Sequence, residues 1–440
     1  SDVCSSDLIQ DFDHAIQLSP NYAEAYYGRG LAYWALGKRD RFFDFNLLLT
    51  PNGKERILFP EVPAMRDFDR AIELKPELAQ FDPELPLALV KLGTAYHGNR
   101  HDDYAIQALS LAIKIKPDSV EAIYLRGTIY ASKGQLDHAI QDLDRAVQLK
   151  PDAVGAYYSR GRAYFRKGEV DGAIQDFDRA IQISPDIMDL YYARGVAYIT
   201  KGQLTRGVQD LDRAIDLEPD NVDVLYLRGF AHLAQDIPKA AVQDFDRVIK
   251  LKQNHPAALE QRAFAYLVMG QNDRAMADFD QVIKINPDSA LAYRRRGQIE
   301  FHMGRFEEAA ADLQMTAYLD PSDLYTLLWL WLAEKRHGNE PHDFDGKVGR
   351  MDLSKWPGPL AQLYVGRGTL DQALAAAASP AAEMAMKQQC EAAFFVGEYI
   401  LLKGNSTDAV PRLEQARDKC PKIFSEYIGA VSELHRLRNR

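Results

Sequence analysis

Proline returns every 34 residues through the middle of this 440-residue chain, at Pro117, Pro151, Pro185, Pro219, Pro287 and Pro321, with Gln253 standing in the one place of the series where proline is replaced. A fixed period of this length means a small supersecondary unit stacked on copies of itself, each burying its apolar face only against its neighbours. Ten residues after each of the first six of these positions comes a small residue: Gly127, Gly161, Gly195, Gly229, Ala263 and Gly297. Seven further on, a second glycine follows in most copies (Gly134, Gly168, Gly202, Gly270 and Gly304). Then come Ala139, Ala173, Ala241, Ala275 and Ala309, and four residues later Leu143, Phe177, Phe245, Phe279 and Leu313.

Each of these positions has a physical task. Between the proline and the second glycine, apolar residues such as Ile123, Ile129 and Tyr130 recur at helical spacing, which predicts a first helix. The second glycine supplies the positive φ that ends it. The next segment, for example LDHAIQDLDRAVQLK, is again amphipathic and stops before the following proline, which disfavours helix in the residue ahead of it. The first glycine and the alanine are small because the two helices cross closely there, and the Leu or Phe fills the adjacent gap. A bulky residue at Gly161 or Ala173 is expected to overpack that crossing, at about 1–3 kcal/mol.

Six consecutive copies in this register resemble the tetratricopeptide repeat (TPR) family, over about residues 9–337 with a late copy beyond. The resemblance implies an all-α fold, a right-handed TPR superhelix (an α-α solenoid) of about ten hairpins with a helical C-terminal capping region. Departures are local: Glu300 and His232 replace the usual tyrosine, and Asp236 replaces the hairpin glycine. The expected organisation is N-terminal repeats over 9–116, a regular array over 117–337 and a C-terminal helical region over 338–440.

The N-terminal part carries two insertions. Ile9–Ser19 reads as the second helix of a truncated repeat ending at Pro20. From Pro20 to Pro76 is 56 residues, 22 more than one period, and within them RFFDFNLLL–TPNG–KERILF predicts two short strands about an Asn52-Gly53 turn, a β-hairpin insertion at 39–63. Pro76 to Pro117 holds 7 extra residues around Gln80–Pro86, which lengthen one loop between repeats. Ser1–Leu8, SDVCSSDL, matches the in-frame translation of a common short-read sequencing adapter and is set aside as an artefact. On that reading the native N-terminus, with any signal peptide, lay upstream, and Cys4 drops out of the count.

After Gly338 the register fails and then returns: Gly397, Gly404, Ala409, Leu413, Ala416 and Pro421 reproduce the spacing, so Glu391–Lys419 is expected to be another hairpin. WPGPLAQLYVGRGTLDQALAAAAS between them reads as a shortened helical pair, and residues 422–440 as a capping helix. Cys390 at the start of that late hairpin and Cys420 at its end fall side by side in an antiparallel pair, within bonding reach. Two buried thiols are the alternative to a disulfide, which would require an oxidising compartment. LWLWLAE (328–334), the Trp356 segment with LYVG, EAAFFVGEYILLKG and SEYIGAVSELHRL resemble the corresponding part of the bacterial TPR lipoprotein NlpI family. That resemblance implies an envelope-associated adaptor bringing a periplasmic protease together with cell-wall hydrolases.

Three positions of each first helix, at i, i+4 and i+7, share one face, and in the TPR family first helices line the concave groove. The first position reads Tyr124, Tyr158, Tyr192 and Tyr226 in four successive repeats, and then Glu260 and Arg294. The others include Arg162, Phe230 and Phe264, and Phe165; Arg166 lies beside them. Aromatic residues with polar tips and arginines are the types enriched where proteins bind partners, so these ten residues other than Glu260 form the candidate peptide-binding set. The alternative is that the tyrosines only pack between neighbouring first helices. The lysine-and-asparagine clamp that some relatives use for a C-terminal carboxylate is missing from this face.

A second regularity is charged. Arg29, Arg126, Arg160, Arg194, Arg228, Arg262 and Arg296 each precede the small residue, and Asp67, Asp142, Asp176, Asp210, Asp244 and Asp278 each precede the Phe or Leu of the second helix. This reads as a ladder of scaffold ion pairs that sets register between units.

Composition and motifs bound the function. With 47% hydrophobic and 26% charged residues the chain is that of a folded protein. Its net charge of −10, with bases and acids interspersed, argues against a nucleic-acid footprint. No run of about 18 apolar residues predicts a membrane span. No phosphate-cradling loop, HExxH, CxxC pair or G-x-S-x-G elbow stands in the sequence, so no catalytic residues, metal ligands or cofactors are assigned. His97 and His302 read as groove or surface histidines. The expected function is therefore a non-enzymatic scaffold or adaptor holding protein or peptide partners, periplasmic or envelope-associated, with homodimerisation left open. Its rivals are a cytoplasmic TPR scaffold or co-chaperone, and the TPR part of a truncated enzyme.

Overall fold

The computed structural model describes residues 2–40, 61–80, 82–378, 382–421 and 424–439, and all regular structure in them is helical. The chain divides into two compact units, residues 1–217 and 218–440.

Unit 1 holds α1 (Asp2–Leu18), α2 (Ala23–Asp40), α3 (Glu61–Leu74), α4 (Leu85–Gly98), α5 (Asp102–Ile115), α6 (Val120–Ser132), α7 (Leu136–Leu149), α8 (Val154–Lys167), α9 (Val170–Ile183), α10 (Met188–Thr200) and α11 (Leu204–Leu217). From α2 onward these pair as antiparallel hairpins, α2 with α3 through α10 with α11. Of the β-hairpin expected over 39–63, residues 41–60 lie outside the described residues; Arg39 and Asp40 end α2, and residues 61–63 begin α3. The lengthened loop after Pro76 opens as a 3₁₀ turn over Pro76–Gln80.

Unit 2 holds α12 (Val222–Ala234), α13 (Pro238–Leu251), α14 (Pro256–Val268), α15 (Asn272–Ile285), α16 (Ala290–Met303), α17 (Phe306–Leu319), α18 (Leu324–His337), α19 (Phe344–Val348), α20 (Gly358–Tyr364), α21 (Leu370–Ala376), α22 (Ala382–Leu402), α23 (Ser406–Lys419) and α24 (Ser425–Arg438). Three regular hairpins are followed by a helical cap. Each unit is thus an α-α solenoid of stacked hairpins, the second closed by a bundle.

The repeat signature maps onto the hairpin joint. Gly134, Gly168, Gly202, Gly270 and Gly304 all have φ between 71° and 87°. The chain then reverses at once: the Gln135 amide returns to the Tyr130 carbonyl at 2.9 Å. Asp236, which stands where the others have glycine, takes φ 61°. The close crossing is equally visible. A Cβ on Gly161 would come 2.7 Å from the Phe177 ring, and one on Gly229 would come 2.8 Å from Phe245.

The cap explains why the period fails after residue 337. In α18 every side chain from Thr326 to Ala333 is buried, and a helix apolar all round needs cover on all sides. Trp329 is enclosed by Phe301, Phe394 and Phe395, which belong to α16 and α22. The late hairpin begins earlier than expected: α22 starts at Ala382, because AEMAMKQQ ahead of Cys390 is composed almost wholly of strong helix formers. Cys390 and Cys420 are joined by a disulfide that ties α22 to the end of α23. His302, expected on a groove or surface, is buried against Trp329 with Gly429 of α24 beside it. The cap covers a face that the repeat register leaves open.

Candidate functional site

An Asp-x-Asp pair on most of the second helices positions the first helices. Arg160 donates from Nε and Nη2 to both oxygens of Asp176 in its own hairpin (2.8 and 2.6 Å), and from Nη1 to Asp144 of the preceding hairpin (2.7 Å). Arg194 repeats the arrangement with Asp210 and Asp178, and in unit 2 Arg262 and Arg296 do so with Asp278 and Asp246, and Asp312 and Asp280. The near carboxylates are buried, and their hydrogen bonds hold the Arg160 guanidinium well above its ordinary pKa. A two-pronged fork into a fixed carboxylate leaves little rotational freedom, so each of these four first helices is locked to two second helices. Aromatic rings flank these arginines, as Tyr157 and Tyr164 do at Arg160.

With the scaffold fixed in this way, the candidate face of unit 1 carries Tyr124, Tyr158 and Tyr192, all half-buried. Tyr158 packs on Phe177 with ring centroids 6.1 Å apart, and the exposed Arg162 guanidinium lies 5.5 Å over its ring. Burial pushes the Tyr158 phenol above its ordinary pKa, so it stays neutral and keeps its donor. Phe165 packs half-buried in the same cluster, next to Ala173 and Ala197. Arg166 is exposed and donates to the Ala131 carbonyl at the end of the previous first helix.

Beside Tyr124 lies a cavity of about 450 Å³, walled by Val120, Val154 and Ala156 with Glu121, Lys150 and Asp152 at its rim. Its floor exists because residue 155 is glycine: a Cβ there would stand 3.1 Å from the Tyr124 hydroxyl. The sequence carried this signal. The corresponding positions in the other regular copies are Glu121, Asp189, Asp223, Ala257 and Leu291.

In unit 2 the expected residues are less alike. Tyr226 stacks on His255 at 5.5 Å and packs on Phe245 at 5.8 Å, and burial raises its pKa. Phe264 is half-buried. Phe230 is 46% exposed, an aromatic ring presented to solvent. Arg294 is engaged with Asp323, the N-cap residue of α18, at 2.7 Å. It also lines a second cavity, of about 210 Å³, with Arg295, Gln298, Tyr325, Trp329 and residues from α22 and α24. Sequence reasoning missed that cavity because its walls are separated by up to 132 residues and lie where the period has failed.

Among the described residues no group of three or more His, Cys, Asp or Glu could hold a metal ion, and no helix is long and apolar enough to cross a membrane.

The family model described as TPR repeat matches residues 9–37, 127–168, 161–202 and 197–236, and that described as tetratricopeptide repeat matches 263–324. No curated protein matches the chain. Among solved structures, the chain is similar to a tetratricopeptide repeat protein from Parabacteroides merdae, at 21% identity over 57% of this chain and 99% of that one, with a TM-score of 0.43. It is also similar to the MamA protein, at 25% identity over 39% of this chain and 94% of that one, TM-score 0.37. A third is YrrB, described as a TPR protein with an unusual peptide-binding site, at 23% identity over 42% of this chain and 96% of that one, TM-score 0.39.

Proposed function

On a chain whose residues 9–37, 127–236 and 263–324 are tetratricopeptide repeats, we propose that the first-helix face of unit 1 holds a protein segment in extended or helical form. TPR repeats serve protein–protein interaction; the particular face is our assignment. The observation that carries it is the cavity beside Tyr124, which lies on the face where Tyr158 and Tyr192 follow one repeat apart. An apolar-walled recess with a charged rim and half-buried tyrosines alongside suits an anchor side chain flanked by polar contacts. The reading is of a scaffold that binds its partner rather than transforming it.

We place this scaffold in an oxidising compartment of the cell envelope. The Cys390–Cys420 disulfide supports that placement, since such bonds persist where thiols are not kept reduced. The resemblance of the C-terminal region to the NlpI lipoprotein family supports an adaptor role there.

The test starts from peptides selected from a random library on the full chain. Tyr124→Ala and the double variant Tyr158→Ala/Tyr192→Ala should each weaken the selected peptides about tenfold or more, with the helical circular dichroism retained. Unchanged affinity in both variants would refute the assignment of the face.

A further inference from the structure

The cavity of about 210 Å³ in unit 2 has charged walls that are not matched to each other. Glu426 is 8% exposed; its carboxylate is hydrogen-bonded by its own backbone amide, and among the described residues no side chain lies at hydrogen-bonding or ion-pair distance from it. Its neighbour Glu391 is better served: its Oε2 accepts from the Tyr325 hydroxyl at 2.8 Å and from Trp356 Nε1 at 2.6 Å, and Lys387 stands 3.9 Å from its other oxygen. Across the same space, Arg295 has no carboxylate partner among the described residues. Its Nη1 reaches only neutral acceptors, Gln298 Oε1 and Ser425 Oγ, both at a long 3.3 Å. Arg294 beside it is already paired with Asp323.

An unmatched carboxylate and an unmatched guanidinium therefore border one recess without meeting. The remaining wall is aromatic, from Tyr325, Trp329 and Phe424. Burying a charge without a partner is costly, and this recess leaves two of opposite sign. A simple cation would answer Glu426 and repel Arg295; a simple anion would do the reverse. A ligand with both signs and an apolar body answers both. With about 30 Å³ for each water in the liquid, the space is that of a small molecule rather than of one or two waters.

From this arrangement we infer that the unit 2 cavity is a binding site for a free α-amino acid with an apolar or aromatic side chain, its ammonium on Glu426, its carboxylate on Arg295 and its side chain against Tyr325, Trp329 and Phe424. The burial of Glu426 raises its pKa to about 7, with Glu391 adding to the effect, and an arriving ammonium would hold it ionised. The site is separate from the peptide face of unit 1 and does not rest on that assignment.

Calorimetry on the full, disulfide-bonded chain tests this with three probes: L-phenylalanine, its amide, which lacks the carboxylate, and its N-acetyl derivative, which lacks the ammonium. The zwitterion is expected to bind about tenfold or more tighter than either half. Glu426→Gln should abolish its advantage over the N-acetyl derivative, and Arg295→Gln its advantage over the amide. Because either substitution could disturb the cap, the three-probe series on the unsubstituted chain decides independently. Equal binding of the N-acetyl derivative, equal binding of the amide, or no binding of any probe up to about 10 mM would each overturn the inference.

Discussion

Asp176 and Asp178 lie two residues apart on α9 and are claimed by arginines of different hairpins: Asp176 by Arg160 of its own, Asp178 by Arg194 of the next. One residue of α9 therefore closes a hairpin while the other fixes where the following hairpin must sit.

Breaking one rung should be costly, and removing it whole should not. Arg160→Met leaves the buried Asp176 carboxylate unpaired, and unfolding in urea should show a loss of about 3–5 kcal/mol, with faster amide exchange over 154–183. The double variant Arg160→Met/Asp176→Leu is expected to recover most of that. If it is no more stable than the single variant, the buried charge is not what the arginine answers.

Helix ends offer a paired experiment. Asp236 holds φ 61° where five other regular hairpins use glycine, so Asp236→Gly should raise stability by about 1 kcal/mol. Gly168→Ala, where no atom lies within 4 Å of the added carbon and only the backbone angle of 87° objects, should lower it by about the same amount. Thermal melts of both variants check the sign.

Gly155→Leu separates binding from folding. The position is exposed and helical, so replacing glycine with a strong helix former should hold or raise the stability, by up to about 1 kcal/mol. The same side chain would displace Tyr124 and fill the cavity beside it. Peptides selected on the unsubstituted chain should then lose affinity while the fold is retained.

The cap should be sensitive to pH through Glu426. Its folded pKa of about 7 lies above the 4.5 of an ordinary glutamate, because burial and Glu391 disfavour its charge against the opposing pull of Arg295 and Lys387. The folded chain thus keeps a proton that the unfolded chain has released. The associated stability is fully present below about pH 4.5 and is lost as pH rises through 7, up to roughly 3 kcal/mol. Glu426→Gln should flatten that slope in melts run between pH 5 and 8.

Reduction of the Cys390–Cys420 disulfide, which spans 30 residues, should destabilise the cap by roughly 3–4 kcal/mol in the loop-entropy account. Melts with and without reductant measure it, and a Cys390→Ala/Cys420→Ala variant should match the reduced chain.

The regular hairpins were legible because their constraints are local and repeated. Gly161, Phe177, Gly168 and the Arg160–Asp176 pair each act within one or two units, so 34-residue spacing exposes them. The cap was partly legible, since Gly397, Gly404 and Leu413 preserve the spacing, but the start of α22 was not: no breaker marks it, and helix-forming residues simply continue. Burial of His302 could not be read either, because it depends on Gly429 of α24, 127 residues away. On the candidate face, the tyrosine series was visible, and the recess was marked only by Gly155, bare where other copies carry a side chain.

The double use of each Asp-x-Asp also governs how such a chain can change length. Position 92, where the α4–α5 hairpin would carry arginine, is leucine, and Ala108 stands where its near aspartate would be. At the other end Gln314 and Leu330 replace both halves of the next link. Near links are kept or lost as pairs, because an orphaned near aspartate would be a buried charge; an outer half lies closer to solvent and finds a substitute, as Asp69 does with Lys114 and Arg126 with Ser110. Duplicating or deleting a whole 34-residue unit preserves every pair, while gaining or losing a fraction of one orphans at least one residue. The ladder thereby acts as a reading frame written in protein contacts, permitting growth by whole units and penalising anything less.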